Sequence, residues 1–454
     1  MENNKLMSES WVCEGRYGRK YIDPQKLYLH LKNELNLLYT NQENRYLYQD
    51  GYYRRLGKND FIAIIKEYMS AEIRSSRDWE EVYKEFTTDK YNVNEEDLDS
   101  DENLVPFQNG VFNVMTGELA EHDPKYLFTR KVHANYLKGK TLENAPAFKK
   151  FMSDMLSGDP QELTFLLEFI GAILSNVKGW RFKKMLLLVG KGNTGKSKLR
   201  ELVVEMLGHE NEASIDLHNI NARFGTSTLH HKRLAGSGDM SFVEINEMAN
   251  IKQLVGGDRM FGERKGKDAF DFRYDGLLWF NANALPKFGG DKGDHVYSRF
   301  CIVECLNVIP EEKRDPLLLE KLLEEKDVIA SVAMDYLKAA IERGYKFDEC
   351  EIMRMNREKY EITNDSFLTF IEECCEKQWG KWVNRPEFNN AYRNWCRNNG
   401  IKDKVSPREI GLKMREKLGY DTSKANGTVR YNGIALRKEF QYLTYQVSDA
   451  VISN

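Results

Sequence analysis

Apolar positions along the chain change period several times, and each change predicts a change of element. Leu27, Leu31, Leu35 and Leu38 recur at helical spacing, and "YLYQDGYYRRL" then sets Asp50-Gly51 between alternating aromatic runs. That dipeptide predicts a hairpin turn, since both central residues tolerate positive φ. A helix is expected from about Phe61 to Met69, short strands around Asn109-Gly110 and Thr116-Gly117, and helices near 146 to 156 and 161 to 175. The run Met185 to Val189 is uninterrupted and apolar, as a buried strand requires, and a leucine-rich helical pattern follows it after a glycine-rich loop. Three further strand candidates are "KRLAGSGDM", "GLLWFNANALP" and "SRFCIVECL". Between the first two, apolar positions in "GGDRMFGERKGKDAFDFRYDG" flank a basic tip, the pattern of a protruding hairpin. This alternation predicts an α/β sheet. Helices are expected over 316 to 344, with a charged stretch to about 362 linking them to the tail.

Length and charge refine the division. A chain of 454 residues exceeds one ordinary core, so about two to four domains are expected. The divisions read from the sequence are 1–95, 96–175, 176–345 and 360–454. The segment "EEDLDSDE", Glu95 to Glu102, carries six carboxylates and predicts a solvated linker at the first boundary. Lys and Arg (67) nearly balance Asp and Glu (70), yet Lys377 to Glu439 holds fifteen of the former against six of the latter. Basic charge is therefore concentrated in the tail. There "RPEFNNAYRNWCRNNG" reads as a helix closed by Gly400, and "SPREIGLKMREKLG" as a second with Ser406 as N-cap, Pro407 at N1 and Glu409 completing a capping box. Ile410, Met414 and Leu418 are expected inside, leaving Arg408, Lys413, Arg415 and Lys417 to solvent. Two Asn-Gly turns in "TSKANGTVRYNGIAL" complete a helix, helix, ribbon outline that suits a DNA groove, with protein docking or packing as the alternative. The seven cysteines form no zinc-spaced pair, no membrane span is visible, and "MENNKLMSES" lacks a signal core, so a soluble intracellular protein is expected.

The loop between strand and helix carries the chemistry. Gly190-Lys191-Gly192-Asn193-Thr194-Gly195-Lys196-Ser197 fits G-x-x-x-x-G-K-[ST], in which backbone N–H groups and the helix N-terminus wrap phosphates. Gly190, Gly192, Asn193, Thr194 and Gly195 form the cradle, Lys196 meets the β- and γ-phosphates, and Ser197 coordinates magnesium. ATP and Mg²⁺ are the expected ligands. Downstream, Asp239 ends a strand candidate where a carboxylate would hold the metal or its water, Asn283 ends the next where an amide could orient attacking water, and Arg299 could reach a neighbouring subunit's γ-phosphate. Helix cap, turn residue and surface ion pair are their structural alternatives.

Taken together, "GKGNTGKS", Asp239, "KQLVGGDRM", "LLWFNANALP" and Arg299 resemble the superfamily 3 helicases. The closer resemblance is to the helicase half of phage, plasmid and poxvirus-type primase-helicases, whose preceding module looks like "VPFQNGVFNVMTGEL", and the whole is similar to replication initiator helicases of staphylococcal pathogenicity islands and cassettes. The resemblance implies an α/β, AAA+-like P-loop NTPase core with an α+β N-terminal region and a C-terminal winged-helix domain. It implies a homo-hexameric ring hydrolysing ATP between subunits and moving along single-stranded or forked DNA, 3′ to 5′, in the cytoplasm of a bacterial host. By the same resemblance Lys196 and Ser197 serve phosphate and metal, Asp239 the acidic motif, Asn283 the sensor and Arg299 the finger. Arg264, Lys265 and Lys267 fall on the DNA-tracking hairpin. Many relatives pair two acids where Gly238-Asp239 stands here, which leaves Glu244 as a fallback for activating water, and Ser298 stands where some relatives have a second arginine. An ATP-switched initiator or loader that binds origin duplex without unwinding is the main alternative. A small-molecule phosphotransferase is disfavoured by the basic hairpin and tail. Priming is disfavoured because "DLDSD" lies in the acidic stretch.

Overall fold

The computed structural model describes residues 10–156, 159–240, 248–263, 265–266, 268–288, 293–401 and 405–445. Its centre is a five-stranded parallel sheet, with β1 Met185–Val189, β2 Glu212–Ser214, β3 Leu234–Gly236, β4 Leu277–Ala282 and β5 Phe300–Glu304. The spatial order is β2-β3-β4-β1-β5. From β1 the chain runs to the far edge, returns through β3 and β4, and finally lays β5 on the other side of β1. The direction of winding therefore reverses at β1, and ligands of open α/β sheets gather beyond the carboxyl end of such a strand.

The apolar run of β1 follows from its place. Leu186 and Leu188 enter a core shared with helices Pro160–Leu174, Lys196–Leu207 (α1) and Lys326–Glu342, whereas Met185 and Leu187 enter a second core on the opposite face. A strand covered on both faces has no polar side to show. At β3 the strand expected in "KRLAGSGDM" forms over three residues only. Gly236 is needed there, because a Cβ would lie 1.8 Å from the Trp279 carbonyl oxygen of β4. The edge strand β2 had no signal in the hydrophobic pattern.

Residues 24 to 88 form a smaller unit. Strands Leu37–Tyr39, Arg45–Gln49 and Tyr52–Arg55 make an antiparallel meander beside helices Pro24–Glu34, Lys58–Glu67 and Ser76–Thr88, with its own core around Leu31, Phe61 and Phe86. Asp50 and Gly51 both take positive φ, as the hairpin reading expects. The second meander, Leu104–Phe107, Gly110–Asn113 and Leu119–Ala120, instead sends Val105, Phe107 and Phe112 into the core of the central sheet. Helix Pro160–Leu174 lies in that core too, with Phe169 edge-on to Trp279 of β4. The expected division at 175 thus crosses a continuous core.

Two charged segments differ from their sequence reading. Glu95 to Glu102 is docked through three of its six acids, while Glu96, Asp97 and Asp101 stay exposed as the linker reading expects. Glu95 is buried and accepts from the Tyr46 hydroxyl at 2.8 Å, with His231 3.3 Å away. Asp99 is buried against the Thr129 amide (2.9 Å) and Arg130 (3.0 Å), and Glu102 takes two bonds from Arg181 at 2.7 and 2.8 Å. Mutual repulsion is offset because each of these three acids has its own donor. The charged stretch before residue 362 is helix Glu351–Asn364, packed on β5 with Tyr360 in the second core and Arg357 donating to the Phe300 carbonyl at 3.3 Å.

The tail has a separate core. Its order is helix Ser366–Cys374, strand Cys375–Asn384, helix Arg385–Asn398, helix Pro407–Leu412 running on as a π-turn over Lys413–Lys417, and strands Thr422–Ala425 and Thr428–Leu436. Ser406 and Glu409 form the expected capping box. Asn426 and Gly427 make the first expected turn with positive φ, but Asn432-Gly433 lies inside a strand. Ile410 and Met414 are buried and Leu418 packs at the margin of the core, as expected.

Candidate nucleotide site and DNA-facing elements

The loop leaves β1 at Gly190, whose backbone is squeezed between neighbours. Its amide donates to the Ala282 carbonyl of β4 at 3.1 Å, and a Cβ would lie 2.0 Å from the Cys305 carbonyl oxygen. Only glycine fits this approach. Asn193 and Gly195 take positive φ, which turns the chain back onto α1, and the Asn193 carbonyl is held by the Ile309 amide at 2.9 Å. A Cβ at Gly192 would meet nothing within 4 Å.

Lys196, the first residue of α1, is 7% exposed. Its Nζ donates to the carbonyls of Gly190 (2.7 Å) and Lys191 (2.8 Å) and to the Thr194 hydroxyl (3.2 Å). Burial pulls its pKa below the ordinary lysine value, while the nearby Asp239 carboxylate opposes that shift. Ser197 donates its hydroxyl to the Gly238 carbonyl at 3.2 Å, beside Asp239. The segment after β3 is tied to β4 by Met240 N–H to Asn281 O (2.8 Å) and Asn281 N–H to Ser237 O (2.9 Å). Asp239 is exposed, and so is Asn283, the first residue after β4. Because Ala282 pairs with Val189, Asn283 stands next to Gly190. The carboxyl ends of β1, β3 and β4 thus bring Lys196, Ser197, Asp239 and Asn283 to one edge of the sheet. A buried cation clasped by loop carbonyls, a helix N-terminus and an adjacent hydroxyl and carboxylate fit a metal-bound triphosphate.

Arg299 lies at the other edge. It precedes β5, and its carbonyl accepts from the Met185 amide at 2.8 Å, level with the start of β1. Its Nη1 donates to the His295 carbonyl, and its Nε is buried with no acceptor. Sequence reasoning also passed over Asn281. This side chain is fully buried, accepts from Trp279 Nε1 at 2.8 Å, and leaves its own Nδ2 without a partner one residue before the end of β4. An asparagine inside an apolar strand is the signal that could have found it.

The hairpin forms as expected from Arg259–Gly262 and Phe270–Arg273, with Lys265 exposed near its tip. Arg264, Lys267 and Glu244 lie outside the described residues. In the tail, Arg408 is exposed and Arg415 is exposed and pairs with its neighbour Glu416 at 2.8 Å. Lys413 and Lys417 are not free. Lys413 pairs with the buried Asp365, and Lys417 with Glu361 and, at 3.1 Å, with Asp294. Both pairs anchor the tail to the core, a use that helical spacing alone does not disclose. All seven cysteines are free, and no group of three His, Cys, Asp or Glu suited to a metal occurs among the described residues.

Residues 30–157 match a family model described as D5 N terminal like. The match spans 128 of the 454 residues. It crosses the expected boundary at 95, in keeping with the docked acidic segment. Residues 188–299 match a second model, described as a family of unknown function, DUF5906, and this span runs from the end of β1 through Arg299. No curated protein matches the chain. Among solved structures, the chain is similar to the A-form apo structure of the NrS-1 C-terminal region (14% identity, 91% of this chain and 100% of that one, TM-score 0.49). A second apo structure of that region gives 14% identity, 91% and 99% coverage, and TM-score 0.49. Among the described residues no helix is long and apolar enough to cross a membrane.

Proposed function

We propose that the chain is an ATP-driven DNA helicase that helps start replication of a phage or mobile element in a bacterial cytoplasm. The observation that carries this reading is the split of the catalytic set. Lys196, Ser197, Asp239 and Asn283 share one edge of the sheet, while Arg299 sits at the other, where a neighbouring copy could receive it. In a head-to-tail ring each seam would combine one copy's loop with the next copy's arginine. Such an arrangement favours a ring of copies, which we take to be the hexamer, over a self-sufficient monomer.

In this account Lys196 and the loop amides bind phosphate, and Ser197 and Asp239 hold Mg²⁺ or its water. Asn283 orients the attacking water, with Glu244 or Asp239 taking its proton, and Arg299 neutralises charge from across the seam. Mg-ATP supplies the phosphoryl bond whose hydrolysis drives movement. Lys265 with Arg264 and Lys267 on the hairpin would grip the phosphates of single-stranded DNA without reading bases, in the 3′ to 5′ direction. The tail's order of helix, strand, two helices and two strands supports a winged-helix domain for origin duplex, with the exposed Arg408 and Arg415 as its cations. Kinship with staphylococcal island and cassette initiators belongs to the same proposal.

The test is ATP hydrolysis with and without single-stranded DNA. DNA-stimulated turnover that Lys196→Ala abolishes is expected. Turnover indifferent to DNA, or dependent on a small phosphate acceptor, would contradict the reading.

A further inference from the structure

The second tail helix spends two of its four cations on the core, so the tail's outward-facing chemistry has to be sought elsewhere. It lies on the three-stranded sheet. Cys375–Lys377 pairs with Leu436–Ile434, and Trp382–Asn384 pairs with Asn432–Arg430. Between these two registers Gln378 to Lys381 on one strand oppose the single Gly433 on the other, so the extra residues must bulge outward. Trp379 stands on this bulge, 101% exposed, with Trp382 beside it at 47%. Arg430 lies over the Trp382 ring, its guanidinium carbon 3.5 Å from the centroid, and its Nε donates to Asn384 Oδ1 at 3.2 Å. Lys377 precedes the bulge and Lys381 is its last residue, both exposed.

Two exposed indoles side by side with a rim of cations form a patch of the kind that marks an interaction site. We propose that this bulge and the sheet face behind it form a stacking platform for unpaired bases of single-stranded DNA. Trp379 offers an open π-face, the Arg430–Trp382 stack fixes a second flat surface, and Lys377 and Lys381 meet the backbone phosphates. Aromatic faces with interleaved cations hold a single strand regardless of sequence, since every base can stack. A protein partner fits less well. Two tryptophans offer at most about 500 Å², against the roughly 800 Å² per side of a stable protein interface, and the rim is charged. The proposal rests on the preceding reading only in taking DNA as the polynucleotide. On it, the bulged sheet of the tail would hold a melted strand, separately from the duplex assigned to the helix that carries Arg408 and Arg415.

The test uses the full chain without nucleotide, labelled oligothymidylate of about 16 residues, the upper end of single-strand site sizes, and a blunt duplex of equal length. Trp379→Ala removes a side chain that packs on nothing, so the fold is unaffected. It should weaken oligothymidylate binding about 5- to 150-fold, the usual loss for one stacked base, and leave duplex binding unchanged. Trp379→Phe keeps a π-face and should retain most of the affinity while losing part of the quench of tryptophan emission that the oligonucleotide causes in the parent protein, the rest coming from Trp382. Unchanged oligothymidylate affinity in Trp379→Ala, equal losses for single strand and duplex, or a full quench in the Trp379→Phe, Trp382→Phe protein would each overturn the proposal. Because ATP is absent, these outcomes do not depend on hydrolysis or unwinding.

Discussion

Arg299→Ala tests whether the two edges of the sheet cooperate across copies. β1 spans the five residues Met185–Val189, and Arg299 is level with its start while the loop leaves its end. At about 3.3 Å per residue the separation along the strand is about 17 Å, whereas an extended arginine side chain reaches about 7 Å from its Cα. The chain's own loop is out of range. Deleting the guanidinium should therefore cost about 10³ to 10⁵ in turnover, as for other arginine fingers, and leave ATP affinity nearly unchanged. Lys196→Ala should be equally inactive for the opposite reason, having an intact finger and a failed cradle. In an equal mixture, a seam works only when an Arg299→Ala copy supplies the loop and a Lys196→Ala copy supplies the arginine. Random assembly puts about one quarter of the seams in that state, so about a quarter of parental ATPase should return if seams act independently. The assay is steady-state phosphate release across mixing ratios, with recovery greatest near equality. No recovery at any ratio, or loss of ATP binding in Arg299→Ala, would refute the reasoning.

Three further outcomes follow from the packing. Gly190→Ala should lose binding of a fluorescent ATP analogue with little change in secondary structure by circular dichroism, because its Cβ would lie 2.0 Å from the Cys305 carbonyl oxygen and must displace the loop. Arg233, 1% exposed, donates to the carbonyls of Ala172 (2.6 Å), Val177 (3.0 Å) and Asp275 (2.5 Å), joining the end of helix Pro160–Leu174 to the β3–β4 edge, and burial pulls its pKa down to about 10. Arg233→Met should cost about 3–5 kcal/mol in urea unfolding, since it strands buried acceptors at a helix C-terminus. Glu162 is buried near the start of the same helix, and burial, with Asp159 and Glu304 nearby, raises its pKa to about 7. Its contribution is intact below about pH 4.5, the unfolded value, and is lost as pH rises through about 7. Glu162→Gln should therefore stabilise the protein by about 2 kcal/mol at pH 8, after allowing for screening, and by nearly nothing at pH 4.5, as read from melting curves across pH.

Local signals were legible where one stretch of chain settles its own geometry. The Asp50-Gly51 turn, the β1–loop–α1 unit and the Ser406 capping box each depend on neighbours a few residues away, and each appears as the pattern implies. Charge was read poorly because its meaning depends on distant partners. Glu95 to Glu102 looks repulsive until Tyr46, Arg130 and Arg181 are brought to it, and Lys413 and Lys417 look free until Asp365 and Glu361 are. Arg233 is indistinguishable in sequence from a surface arginine. The grouping of Lys196, Ser197, Asp239 and Asn283 followed from motif order along the chain, but Arg299's position at the opposite edge required the strand register.

The most direct measurement of the central claim is strand separation on a forked duplex carrying a labelled strand, with Mg-ATP supplied. The account predicts release of the labelled strand by the parent protein, none without ATP, and none with Lys196→Ala or Arg299→Ala. ATP hydrolysis stimulated by DNA, with the duplex left paired under every condition, would contradict a helicase and leave the origin-binding switch in its place.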